Sequence, residues 1–173
     1  DGAVALVATR PVLHGALLTA ASNLAPGSLQ LATAVSGFEA AGSRVAIRID
    51  DGRTIEGDLL LGADGVASVI RRQLHPGEPP ARPSGHYAIR GVASGVTGRM
   101  GELSAATYLG DGIEASIARA GADAVYWYMS VLDRDVDAAL APLDLARQFL
   151  PRLDATFGTI VRATTADDVR VDS

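Results

Sequence analysis

The spacing of apolar and polar positions changes period several times along the chain, and each change marks an element. A short apolar run, Ala3 to Ala8, reads as the end of a buried strand. Val12, Leu13, Ala16, Leu17, Ala20 and Ala21 then fall at helical spacing over Pro11 to Ser22. Thr9 stands where an N-cap belongs, Pro11 suits the first turn, and Asn23 with Pro26-Gly27 ends the helix. Leu29 to Phe38 and Val45 to Ile49 alternate, and Ala41-Gly42-Ser43 between them predicts a hairpin. Asp51-Gly52 turns the chain again into Thr54-Ile55-Glu56, so an antiparallel meander of about three strands is expected. Asp58 to Ala63 is apolar without alternation, the pattern of a strand buried on both faces in a parallel layer. It breaks at Asp64-Gly65 and gives way to a short helix over Ser68 to Leu74.

His75 to Gly85, HPGEPPARPSG, is the strongest boundary in the chain and separates a first domain, 1–80, from a second, 81–173. Beyond it, His86 to Val92, Ala105 to Leu109, Glu114 to Ala118 and Ala124 to Val131 read as strands with Gly-bearing turns. Leu143 to Leu153 and Asp154 to Ala163 read as helices. Strands and helices in this order predict an α+β (α/β) chain.

Composition narrows the function. Hydrophobic residues make up 48% and charged residues 20%, the balance of a folded globular protein. A net charge of -5 leaves no basic excess for a nucleic-acid surface. The chain has no Cys, which excludes disulfides, thiolate metal sites and a Cys nucleophile. His14, His75 and His86 share no ligand spacing, and Asp133, Asp135 and Asp137 lack the glycine and terminal Glu of a calcium loop, so no metal is expected. No stretch approaches ~18 apolar residues, so no membrane-spanning helix is expected, and the location is read as cytoplasmic. The chain opens on Asp1 rather than Met, which suggests that it begins inside something larger.

Leu59 to Arg71, LLLGADGVASVIR, is the most informative segment. A strand ending in Gly62-Ala63-Asp64-Gly65 brings backbone close to whatever lies beyond its carboxyl end. Gly65 permits a tight approach, and Asp64 can accept from loop amides or a basic side chain; an ordinary Asx turn is the competing reading. The segment resembles the Asp-Gly fingerprint of the aromatic-hydroxylase class of FAD-dependent monooxygenases, with Asp64, Gly65, Ser68 and Arg71 in the family's places. Three further stretches resemble the same family in the same order. Arg10 to Leu17 resembles its Arg-x-x-Leu-x-x-x-Leu helix start, Thr33 to Gly37 its adenine-side strand, and Ser84 to Gly91 its Gly-x-x-Ala-x-Arg-Gly strand.

The resemblance implies part of a three-layer, Rossmann-like FAD-binding domain with a β-meander, then a substrate domain built on a mostly antiparallel sheet. It implies that Arg10 contacts FAD, that Val35 meets the adenine through main-chain atoms, and that Asp64 and Gly65 help fix the pyrophosphate region. Arg71 matches an arginine implicated in nicotinamide-dinucleotide binding. His86, Arg90, Tyr126 and Tyr128 are candidates for contact with a small aromatic substrate, although sheet packing or a solvated charge would also explain each. The chemistry implied is hydroxylation of an aromatic or polyketide-like molecule: NAD(P)H reduces FAD, and oxygen adds at the flavin C4a. No side chain stands out as a catalytic acid or base. The family's GxGxxG unit and its later Gly-Asp-Ala segment are not in the chain, so these residues alone are expected to be inactive and to hold FAD weakly. Related FAD-dependent reductases and halogenases share the architecture, but a halogenase needs a lysine and the chain has none. A non-catalytic flavoprotein remnant or small-molecule-binding module is the alternative from another class. The oligomeric state is open.

Overall fold

A computed structural model describes residues 7–172. The chain divides into two compact units, one formed by residues 1–17 and 82–173 and the other by residues 18–81. The division at Ala81/Arg82 lies in the Pro-rich stretch; the other falls after Leu17, within helix α1 (Arg10–Leu24). Every strand pairing among the described residues is antiparallel, and the fold is α+β.

In the 18–81 unit, β1 (Val35–Ala41), β2 (Arg44–Ile49) and β3 (Thr54–Gly57) form the expected meander, in that order. Ala41 pairs with Arg44, so Gly42 and Ser43 make a two-residue turn in which Gly42 takes φ +60°. Asp51 closes the second turn by accepting from the Arg53 amide at 3.0 Å. Helix α2 (Val69–Leu74) packs on β1, where the Gln73 carboxamide accepts from the Phe38 amide at 2.9 Å and donates to the Phe38 carbonyl.

Two expectations in this unit need correction. Leu29 to Ala34 is not strand; β1 begins only at Val35. Asp58 to Ala63 is not a buried parallel strand either: the segment is irregular, with Leu59 76% and Leu61 79% exposed. A run apolar on both faces becomes a buried strand only when neighbours flank it, and no described strand pairs with this one. Val7 and Ala8 are likewise not strand, while the rest of the Ala3 to Ala8 expectation lies outside the described residues.

The other unit carries the main core. Its sheet holds β4 (His86–Ser94), β5 (Ala105–Gly110), β6 (Ile113–Arg119), β7 (Ala124–Leu132) and β8 (Val169–Asp172), in the order β5-β6-β7-β4-β8. The period-2 pattern works here as predicted: Val125, Trp127, Met129 and Val131 are fully buried, and the residues between them are half-buried on the other face. Helices α3 (Pro142–Phe149) and α4 (Ala155–Arg162) cover the apolar face with Leu143, Leu145, Ala146 and Phe149, and with Phe157, Ile160 and Val161. Asp154 caps α4 by accepting from the Phe157 amide at 2.8 Å. Trp127 is the centre of this layer. Its indole N–H donates to the Thr164 hydroxyl at 2.9 Å, and its ring lies against Gly91, where a Cβ would come within 2.6 Å of Cζ2. β8 was not foreseen in the sequence, because four residues are too few to show a period.

Candidate functional site

The face of the five-stranded sheet opposite the helices is polar, and strand register sets its layout. Residues directly opposite in an antiparallel pair share a face, so two rows run across the strands. One row is Ser116, Tyr128, Arg90 and Arg170; the next is Glu114, Ser130, Ala88 and Asp172. Four of the candidates named from the sequence, His86, Arg90, Tyr126 and Tyr128, therefore stand on one surface, where the Tyr126 and Tyr128 rings lie 6.4 Å apart.

Diagonal contacts join the rows. Tyr128 donates its hydroxyl to Glu114 Oε1 at 2.5 Å, and Arg90 Nη2 lies 2.8 Å from Asp172 Oδ2. The hydrogen bond to Glu114, then partial burial and the Glu114 charge, push the Tyr128 hydroxyl up to about 12. Tyr128 is thus a neutral donor at ordinary pH. His86 is exposed at the end of β4, with Nδ1 a loose 3.4 Å from the Ser130 hydroxyl.

Helix α1 brings Arg10 to the same unit. A cleft of about 590 Å³ is lined by Val7 to Pro11 and Leu13 together with Arg90, Gly91, Val92, Tyr126, Asp168 and Arg170 to Asp172. The Arg10 guanidinium has no ion pair or hydrogen bond among the described residues. Arg170, by contrast, donates to the Asp167 and Val169 carbonyls, both at 2.7 Å. The cleft thus joins apolar walls and a tyrosine ring with one uncommitted guanidinium, a donor set that fits a planar, anionic dinucleotide such as FAD.

In the 18–81 unit the Asp-Gly segment forms a capped turn. Asp64 Oδ1 accepts from the Ser68 hydroxyl at 2.5 Å, while Oδ2 accepts from the amides of Val69 at 2.7 Å and Ile70 at 3.3 Å. The Ser68 hydroxyl in turn accepts from the Arg71 amide at 2.9 Å. These bonds, the Ser68 hydroxyl foremost, hold the Asp64 carboxyl below the usual carboxylate range. Both carboxylate oxygens are used inside the turn, so Asp64 orders backbone rather than offering a free acceptor. Gly65 takes φ +80° with nothing within 4 Å of where a Cβ would lie, leaving its backbone open. Gly62 lets the loop close on Ile70, whose side chain would meet an added Cβ at 3.0 Å. Arg71 is committed, with Nε 3.0 Å from Glu78 Oε2 and Nη2 donating to the Val66 carbonyl. Val35 is half-buried at the start of β1, paired with Ile49.

Glu114, Asp172, Ser130 and Arg170 belong to the polar face with Ala88, and none of these four was singled out from the sequence. Glu114 was findable as the polar position of an alternating strand; Asp172 was not, since its strand is four residues long. No group of three or more His, Cys, Asp or Glu among the described residues could hold a metal ion. No helix among them is long and apolar enough to cross a membrane.

No protein-family profile matches the chain. Aurachin C monooxygenase/isomerase of Stigmatella aurantiaca is 32% identical over 124 residues, covering 70% of this chain and 32% of that protein. The FAD-dependent urate hydroxylase of Mycolicibacterium vanbaalenii is 28% identical over 95 residues, covering 55% of this chain and 24% of the relative. The chain therefore spans about a third or less of the length of these relatives. Klebsiella pneumoniae HpxO, solved with FAD and uric acid, superposes with a TM-score of 0.77 at 22% identity, over 95% of this chain and 42% of that one. In sequence the chain is similar to part of the length of these monooxygenase and hydroxylase relatives, and it shares the fold of the matching part of the protein solved with FAD and uric acid.

Proposed function

We propose that this chain is part of a monooxygenase that hydroxylates an aromatic or polyketide-like small molecule, using FAD, NAD(P)H and O2. The observation that carries the reading is Arg10, a guanidinium without a partner among the described residues, in a cleft shared with Arg90 and Tyr126. A guanidinium fork matches the oxygens of a pyrophosphate in shape and charge, so Arg10 is assigned to the FAD phosphates. The family resemblance adds Val35, through its main chain, to the adenine, and Asp64 and Gly65 to the pyrophosphate region. In this reading Asp64 acts by holding the turn, and the open backbone at Gly65 is the part that a ligand approaches. Arg71 is assigned to the nicotinamide dinucleotide, an assignment that requires it to leave Glu78.

When bound, FAD supplies the redox chemistry, drawing on NAD(P)H and delivering to O2. The residues of this chain bind, orient and exclude water. Arg10 neutralises phosphate, while His86, Arg90, Tyr126 and Tyr128 face the substrate from the polar side of the sheet. The apolar cleft walls limit water around the reacting groups.

Arg10→Gln in the whole protein tests the reading. A lost charge-assisted bond of about 1.5–3 kcal/mol raises the dissociation constant for FAD by roughly tenfold to a hundredfold. Flavin fluorescence reads the change, with far-ultraviolet circular dichroism unchanged. FAD affinity equal to that of the parent would overturn the assignment. Residues 1–173 alone, lacking the GxGxxG cradle, are expected to retain less than stoichiometric FAD. Substrate-stimulated NAD(P)H oxidation by the whole protein checks the activity.

A further inference from the structure

The polar face of the five-stranded sheet has two chemically different ends. Toward α1 stand the guanidiniums of Arg10, Arg90 and Arg170. On the other side is a hollow of about 500 Å³ lined by Ser84, His86, Ala88, Glu114, Ser130 and Asp172. Glu114, Ser130, Ala88 and Asp172 lie in one cross-strand row, so the floor of the hollow is built from the two smallest side chains of that row, Ala88 and Ser130. Its two ends are carboxylates. Strands about 4.8 Å apart place the Glu114 and Asp172 backbones about 14 Å from each other.

Both carboxylates are already held in place, each by one oxygen. Glu114 Oε1 takes the Tyr128 hydroxyl, and Asp172 Oδ2 takes the Arg90 guanidinium. Glu114 Oε2 and Asp172 Oδ1 accept no hydrogen bond among the described residues. The hollow thus offers two oriented acceptors with free lone pairs. Only Asp172 faces a guanidinium; the Glu114 partner is a neutral phenol, so the Glu114 charge is not cancelled by its own hydrogen bond.

We propose that this hollow receives the head of the substrate and selects a neutral ring bearing N–H or O–H donors, such as an amide, lactam or phenol, over an aryl carboxylate. The inference rests on the monooxygenase reading for the word substrate, but the binding preference stands on the hollow itself. A donor-bearing head satisfies the free oxygen of Glu114. An aryl carboxylate brings a second negative charge to the same place, where like charges repel and neither is solvated as well as in water.

Benzamide and benzoate form the test, since they share a ring and differ in donors and charge. Each is titrated into the whole protein, with and without FAD, while the ¹³C-methyl resonance of Ala88 on the floor of the hollow is followed. Benzamide is expected to shift the Ala88 methyl saturably, with benzoate at least tenfold weaker. Glu114→Gln, at an exposed position, should bring the two probes within about threefold of each other, and Asp172→Asn should act in the same direction. Equal or tighter binding of benzoate, no Ala88 shift with either probe, or an unchanged preference in both variants would overturn the proposal. Failure of the FAD reading shows separately, as Arg10→Gln protein with unaltered FAD affinity and no flavin-dependent oxidation.

Discussion

Glu114 and Tyr128 act as one unit at the residue scale. The bond between them keeps the proton on Tyr128 to about pH 12, so the folded state binds that proton more tightly than the unfolded chain does. The sign follows. The contribution to stability is fully present below the ordinary tyrosine value near 10 and is lost as pH rises from there through about 12. Glu114→Gln removes the charge and weakens the acceptor, so Tyr128 should titrate closer to the ordinary value. Absorbance at 295 nm across an alkaline titration checks this: a phenolate component should move from about pH 12 toward 10 in the variant. An unchanged titration would mean that burial, rather than Glu114, sets the value. Asp64 shows the opposite case, a lowered carboxyl whose stabilising bonds are present above the ordinary carboxylate range and lost on acidification.

Strand pairing and face assignment are decided at the scale of the element. The β4–β7 pair shows this, because Gly91 sits opposite Trp127 and leaves room for the indole. A methyl there would lie within 3.0 Å of three Trp127 atoms, in a layer already packed by Phe157 at a ring distance of 6.2 Å. Gly91→Ala is therefore expected to destabilise the domain by about 3 kcal/mol, the upper end of overpacking costs. Urea denaturation should show a lower midpoint with an unchanged slope. Much of this layer was legible in the sequence. His86 to Val92, Ala105 to Leu109, Glu114 to Ala118 and Ala124 to Val131 alternate strongly, and all four form strands within a few residues of those bounds. Asp58 to Ala63 misled because hydrophobicity without alternation specifies two buried faces but not the neighbours that bury them.

Stability is unevenly spread over the whole molecule. Among the described residues, only Ile49 and Ile70 of the buried apolar side chains belong to residues 18–81; the rest lie in the other unit. Leu24, Leu29, Leu31, Leu59, Leu61 and Val66 are exposed apolar residues of the 18–81 unit. A segment with so little buried area opens at lower free-energy cost. In the 173-residue chain, amides of β1 to β3 should exchange with deuterium at least tenfold faster than those of β4, β6 and β7. Equal protection of the two sheets would contradict this account.

The sequence by itself determined most of the helices and strands of the second unit, the meander in the first, the capped Asp-Gly turn and the resemblance to FAD-dependent monooxygenases. All of these depend on local period, turn chemistry or short motifs. It also marked Arg10, His86, Arg90, Tyr126 and Tyr128 as residues to watch. Tertiary structure alone decided what they stand beside. Period 2 says which face a side chain takes, yet carries no information about which strand lies next to it or in what register. Register places Glu114, Ser130, Ala88 and Asp172 in one row from four different strands. The same folding brings Arg10 to a cleft with Arg90, eighty positions away, and leaves its guanidinium without a partner among the described residues. Burial of Trp127 against Gly91 locks that register, because a one-residue slip would expose the apolar set and bury the polar one.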